Sequence, residues 1–135
     1  MKIGPMLLQE YEEKEVELRV FYFLGLIYCM AIFSQKDEKT KIDYRNYNKE
    51  RPNRNVPFAL PNDLKKKIAL FFEKTGLQSG SLDFILNKEG KYIFLEVNPS
   101  GQFGWVSSNC NFYIEKNIAI ALENYHSNHG SNKNL

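Results

Sequence analysis

The sequence predicts an α+β domain, an antiparallel β-sheet with helices packed on one face. Two observations carry this. Segments of strand character fill the chain before residue 34 and return at 81–97, and two segments of helical period follow them, at 64–75 and 114–125. The second strand region also folds on itself around NKEG, a hairpin signal.

Taken in order, LLQEY, VELRVFYF and LIYCMAIF read as strands. The run VFYFLGLIYCMAIF is apolar but falls short of the roughly 20 residues that a membrane-spanning helix needs. Gly25 near its middle and its aromatic and branched residues favour two strands joined by a tight turn. Residues 34–57 are polar and charged with no sustained period, and a loop of that length in a compact domain is usually functional or disordered. Leu64, Ile68, Phe71, Phe72 and Thr75 form one stripe of a helix, with Pro61 and Asn62 at its start and Gly76 at its end. SLDFIL and KYIFLEV flank the hairpin turn. Ile114, Ile118, Ala121, Leu122 and Tyr125 repeat the helical spacing. The tail HSNHGSNKNL has nothing to bury and is expected to fray, and His126 and His129 read as solvated tail residues before they read as metal ligands.

Composition narrows the function classes. With 135 residues, 43% hydrophobic and 25% charged, the chain has the profile of one globular domain. A net charge of +2 is too small to argue for nucleic-acid binding. No secretory signal opens the sequence. Cys29 and Cys110 lack metal-ligand spacing and read as buried, reduced thiols, which suits the cytoplasm.

One strand poses a chemical question. KYIFLEVNPSGQFGW carries Glu96 between Leu95 and Val97 and ends in Asn98 and Pro99, groups that a core strand does not need. By alternation, Tyr92, Phe94, Glu96 and Asn98 share a face. A four-residue loop at Asn87–Gly90 would set Asp83 opposite Phe94, with Glu96 as its diagonal neighbour roughly 7–8 Å away. Facing carboxylates repel unless one takes a proton or both find a cation. Asp83, Glu96 and Asn98 form an all-oxygen set suited to a hard ion such as Mg²⁺, with ordinary surface acids as an equal alternative. Glu17 and Arg19 share another strand face, and Arg45 lies beside Asn46 in the charged loop; arginine is the usual fork for phosphates and carboxylates.

In sequence, LLQEY…ELR, DYRNYN, GSLDFIL and FLEVNPSGQFGW resemble the C-terminal half of an ATP-grasp ligase. NPSGQFGWV followed by NFYIEKNIA is similar, more narrowly, to the ATP-grasp peptide maturases of graspetides, the grasp-with-spasm type. The similarity spans all but the tail, and implies an ATP- and magnesium-binding domain over residues 1–125, with 126–135 as a polar tail. It implies that Gln9, Glu10, Tyr11 and Glu12 line the adenine pocket and that Glu17 meets the ribose. Arg19 and Arg45 would act as catalytic arginines near the phosphates or the acceptor acid, with Arg45 and Asn46 facing the triphosphate. Asp83, Glu96 and Asn98 would ligate Mg²⁺, or Mn²⁺ in its place.

The implied reaction activates a side-chain carboxylate of a ribosomal precursor peptide as an acyl phosphate, which a hydroxyl or amine of that peptide then displaces to close an ester or amide ring. The partner is thus a peptide with acidic and hydroxyl or amine side chains; a homodimer is an open alternative, and neither nucleic acid nor membrane is expected. Such ligases also carry an upstream substrate domain and a lysine-bearing cover over the triphosphate, with no counterpart before MKIGPMLLQEY. The expectation is an incomplete ATP-grasp fold, inactive alone. Another ATP-grasp carboxylate–amine ligase, such as an amino-acid ligase, and an inactive peptide-binding or dimerising remnant stand as alternatives.

Overall fold

The computed structural model describes residues 10–33 and 54–130. Within them lie β1 (Lys14–Phe23), β2 (Leu26–Phe33), β3 (Arg54–Pro57), α1 (Asn62–Thr75), β4 (Ser79–Asn87), β5 (Tyr92–Asn98), α2 (Gly104–Cys110) and α3 (Ile114–Gly130). The strands form one antiparallel sheet in the order β3-β2-β1-β4-β5. The α+β class therefore holds. Its first hairpin closes on Leu24 and Gly25, both at positive φ, with Phe23 paired to Leu26. That is a two-residue turn whose twist suits the strands it joins. The strand expected at LLQEY falls partly outside the described residues, and its described end, Glu10 and Tyr11, is not strand.

The helices divide between the two faces of the sheet. α1 lays Ile68 and Phe72 on Val16, Leu18, Val20, Tyr22, Leu82 and Phe84, and Phe72 stacks on Tyr22 with ring centroids 3.9 Å apart. It starts after Pro61 and ends at Gly76 in the left-handed conformation, as its sequence signals demand. On the other face, α2 and the start of α3 place Val106, Cys110 and Ile114 over Phe21, Met30 and Ile32. A central strand apolar on both sides explains this arrangement: β1 buries Val16, Leu18 and Val20 one way and Phe21 the other. One-sided packing would have left Phe21 and Met30 in water.

Two further elements differ from the sequence reading. β3 emerges from the end of the charged loop and adds an edge strand beside β2. α3 continues to Gly130, so the first part of the tail is helical. Among the described residues no helix is long and apolar enough to cross a membrane, which leaves strands unaddressed. Cys29 and Cys110 are free and buried, in the cores on opposite faces. Burial pushes both thiols up from their ordinary value.

Candidate active site

The face covered by α2 carries the charged groups. Its centre is a row running across three strands: Arg19 of β1 pairs with Asp83 of β4, and Asp83 pairs with Glu96 of β5. In the adjacent rows, Phe21, Ser81 and Asn98 are partners on one side, and Glu17 and Ile85 on the other. Arg19, Asp83, Glu96, Asn98 and Glu17 therefore share one face.

Two irregularities build this face. The β4–β5 hairpin turns on Lys88, Glu89 and Gly90 rather than on four residues: Asn87 N–H donates to Lys91 O at 3.0 Å, and Gly90 has φ 78°. Further along, the register slips between Asp83 and Phe84, because Asp83 pairs with Glu96 while Phe84 pairs with Phe94. Leu95 is the extra residue of a β-bulge. Together these correct the expected register: Glu96 lies directly opposite Asp83, not diagonal to it, and Phe94 belongs to the other face, 5.6 Å from Phe84 and 6.0 Å from Phe71 in ring centroids. A second slip lies between Lys14 and Val16 in β1. It brings Lys14 to the side of Glu17, and the two form a buried ion pair.

Arg19 is the electrostatic centre of the row. It forms an ion pair with Asp83, Nε lying 2.7 Å from Oδ1, and its guanidinium lies 5.9 Å from the centroid of the Trp105 ring at the start of α2. Glu96 is exposed and makes no hydrogen bond or ion pair among the described residues. Asn98 is also exposed and is oriented by its own turn. Its Oδ1 accepts from Ser100 N–H at 3.0 Å, and its carbonyl accepts from Gly101 N–H at 3.0 Å. The turn passes so close to β4 that a side chain at Gly101 would meet Ser81.

The donor set fits a hard cation. Two carboxylates face each other across one strand pair, an amide oxygen follows two residues on, and Glu96 and Asn98 are open to solvent. Of the other expected site residues, Glu10 and Tyr11 are exposed at the approach to β1 and Glu12 is half-buried, whereas Glu17 is buried against Lys14. Gln9, Arg45 and Asn46 lie outside the described residues. Lys14 escaped the sequence reading because only the slip in β1 turns it to this face, and alternation alone places it opposite. Trp105 stands against Arg19 at the start of α2.

No family model matches the sequence, and a search of curated proteins returns no relative. Solved structures do match. A RiPP-associated ATP-grasp ligase from Chryseobacterium gregarium, in complex with ADP and a leader and core peptide, aligns with a TM-score of 0.68 and 30% identity over 72% of this chain. The macrocyclase MdnC from Microcystis aeruginosa MRC, bound with the precursor peptide MdnA, aligns with a TM-score of 0.66 and 29% identity over 84% of this chain. This chain resembles part of the graspetide-type ATP-grasp ligases. It spans only 29% and 31% of the lengths of those two proteins. The ATP-grasp ligase PsnB, complexed with a phosphomimetic variant of its minimal precursor, Mg and ADP, aligns with a TM-score of 0.67 over 84% of this chain. At 21% identity it speaks for the ATP-grasp fold alone.

Proposed function

We propose that this chain provides the nucleotide- and metal-binding part of an ATP-dependent ligase that activates a carboxylate of a ribosomally made peptide and closes an ester or amide ring within it. The observation that carries the reading is the row Arg19, Asp83, Glu96, with Asn98 beside it, on one face of a fold similar to peptide-modifying ATP-grasp ligases. Asp83, Glu96 and Asn98 would hold Mg²⁺ or Mn²⁺, which when bound neutralises charge on the triphosphate. Glu10, Tyr11 and Glu12, with Gln9, would flank the adenine. Glu17, buried and held by Lys14, presents a fixed carboxylate for the ribose hydroxyls.

Arg19 and Arg45 would steady the anionic oxygens of the acyl phosphate formed when the peptide carboxylate attacks the γ-phosphorus and ADP leaves. A hydroxyl or amine of the peptide then attacks the acyl carbon, phosphate departs, and one water is lost overall per ring. Nothing in this scheme requires a protein nucleophile. That agrees with the two thiols being buried, where burial raises their pKa. Reduced cysteines also suit action in the cytoplasm.

Calorimetry with Mg·ATP tests the site. Binding should be lost in Asp83→Ala and in Glu96→Ala, and unchanged binding in both variants rejects the metal ligands. Mass spectrometry of a co-expressed precursor peptide with the full gene product tests the reaction, and a peptide that never loses water rejects it.

A further inference from the structure

Arg19 holds the very carboxylate that the metal would need. Its Nε lies 2.7 Å from Asp83 Oδ1, and both side chains are largely shielded, at 14% and 15% exposure. Lys14, the other basic residue described on this face, is engaged with Glu17. A magnesium ion binds carboxylate oxygen at about 2.0–2.1 Å, and two cations on one carboxylate repel each other strongly where water is scarce. Arg19 has an alternative support, because the Trp105 ring lies 5.9 Å from its guanidinium.

We propose that Arg19 is a built-in competitor for the metal at Asp83, and that metal binding draws its guanidinium off the carboxylate and alters its contact with Trp105. The inference rests on the reading of Asp83, Glu96 and Asn98 as metal ligands. It gives Arg19 a second role: a guanidinium released from Asp83 becomes available to a phosphate or acyl-phosphate oxygen only once the metal is seated. Charge at the site then changes by exchange rather than by accumulation. Binding of the metal without nucleotide is weaker than the ligands alone would give.

The protein carries its own reporter, since Trp105 is its single tryptophan. Titration of the 135-residue chain with Mg²⁺, without nucleotide, should change Trp105 emission in the wild type. The change should be absent in Arg19→Gln, where no cation moves relative to the ring, and in Glu96→Gln, where the metal is not held. In parallel, Mn²⁺ binding followed by loss of the free-ion paramagnetic signal should tighten about tenfold or more in Arg19→Gln, because the competing charge is gone. Arg19→Lys, which keeps the charge without the fork, should fall between and serves if Arg19→Gln does not fold.

Glu96-dependent Mn²⁺ binding that neither variant tightens would overturn the competitor role while sparing the site. So would an emission unchanged by saturating Mg²⁺ in the wild type. Absence of any Glu96-dependent metal binding in both the wild type and Arg19→Gln would bring down both the site and this inference.

Discussion

Gly101→Ala tests whether the turn after β5 is held against β4 as closely as described. A Cβ at this position would lie 2.3 Å from both Cβ and Oγ of Ser81 and 2.9 Å from the Asn98 carbonyl oxygen. Carbon atoms in ordinary contact sit roughly 3.5 Å or more apart, so the shortfall is about 1.2 Å. Ser81 cannot yield, being 1% exposed and paired on both sides, with Phe21 and with Asn98. The turn must move instead, at the about 1–3 kcal/mol typical of overpacking. For a chain of this size that is a fall in Tm of roughly 4 °C per kcal/mol. Moving the turn also disturbs Asn98, whose orientation beside the carboxylate row is set by accepting from the Ser100 and Gly101 amides. Metal affinity should fall with stability. Ser81→Gly removes the two closest of the three clashing atoms, so urea unfolding of the two single variants and the double variant should show a favourable coupling above about 0.5 kcal/mol. A Gly101→Ala protein within about 0.5 kcal/mol of wild type, or a strictly additive cycle, would refute the close approach.

Two other substitutions have signed outcomes. Leu24 adopts φ 45° in the β1–β2 turn while exposed to solvent, so Leu24→Asn should raise stability by about 1 kcal/mol, the cost that left-handed backbone imposes on a bulky side chain; a lower Tm would contradict it. Ser107 ties α2 to α3, its hydroxyl donating to Glu115 Oε2 at 2.7 Å and accepting from the Ile114 N–H at 3.0 Å. The Ser107 hydrogen bond is the main cause that holds the Glu115 carboxyl below its ordinary value. A carboxyl lowered in the folded state contributes stability that is complete above its unfolded pKa and lost as pH falls through the lowered folded value. Ser107→Ala should flatten that acid-side decline in a pH series of urea melts, besides a loss of about 1–3 kcal/mol for the buried amide left without a partner; an unchanged pH slope would count against it.

Much of the fold was legible because period and turn chemistry agreed. α1 is bounded by Pro61 and Gly76 as its sequence signals say, and Gly25 marks the first hairpin. α2 escaped because seven residues are too few to display a helical period. β3 escaped because RNVP has no strand signature and owes its state to the free edge of β2. At the site, sequence logic brought Asp83, Glu96 and Asn98 together but not in their true register. A bulge depends on which cross-strand pairs pack best, here Phe94 on Phe84 beneath α1, and strand alternation contains no trace of it. The pairing of Arg19 with Asp83 was equally hidden, because it depends on β4 lying next to β1 rather than on any local pattern.

The bulge at Leu95 also makes β5 a strand with two allegiances. Its first half turns Tyr92 and Phe94 toward the side of α1, and its second half turns Glu96 and Asn98 toward α2. All four occupy even-numbered positions, and an unbroken strand would put oily rings and charged oxygens side by side. One unpaired residue sorts grease from charge within a single short strand. Pairing Leu95 into the ladder instead of leaving it out would reverse the parity of everything after it, and the carboxylate that faces Asp83 would instead face the hydrophobic core.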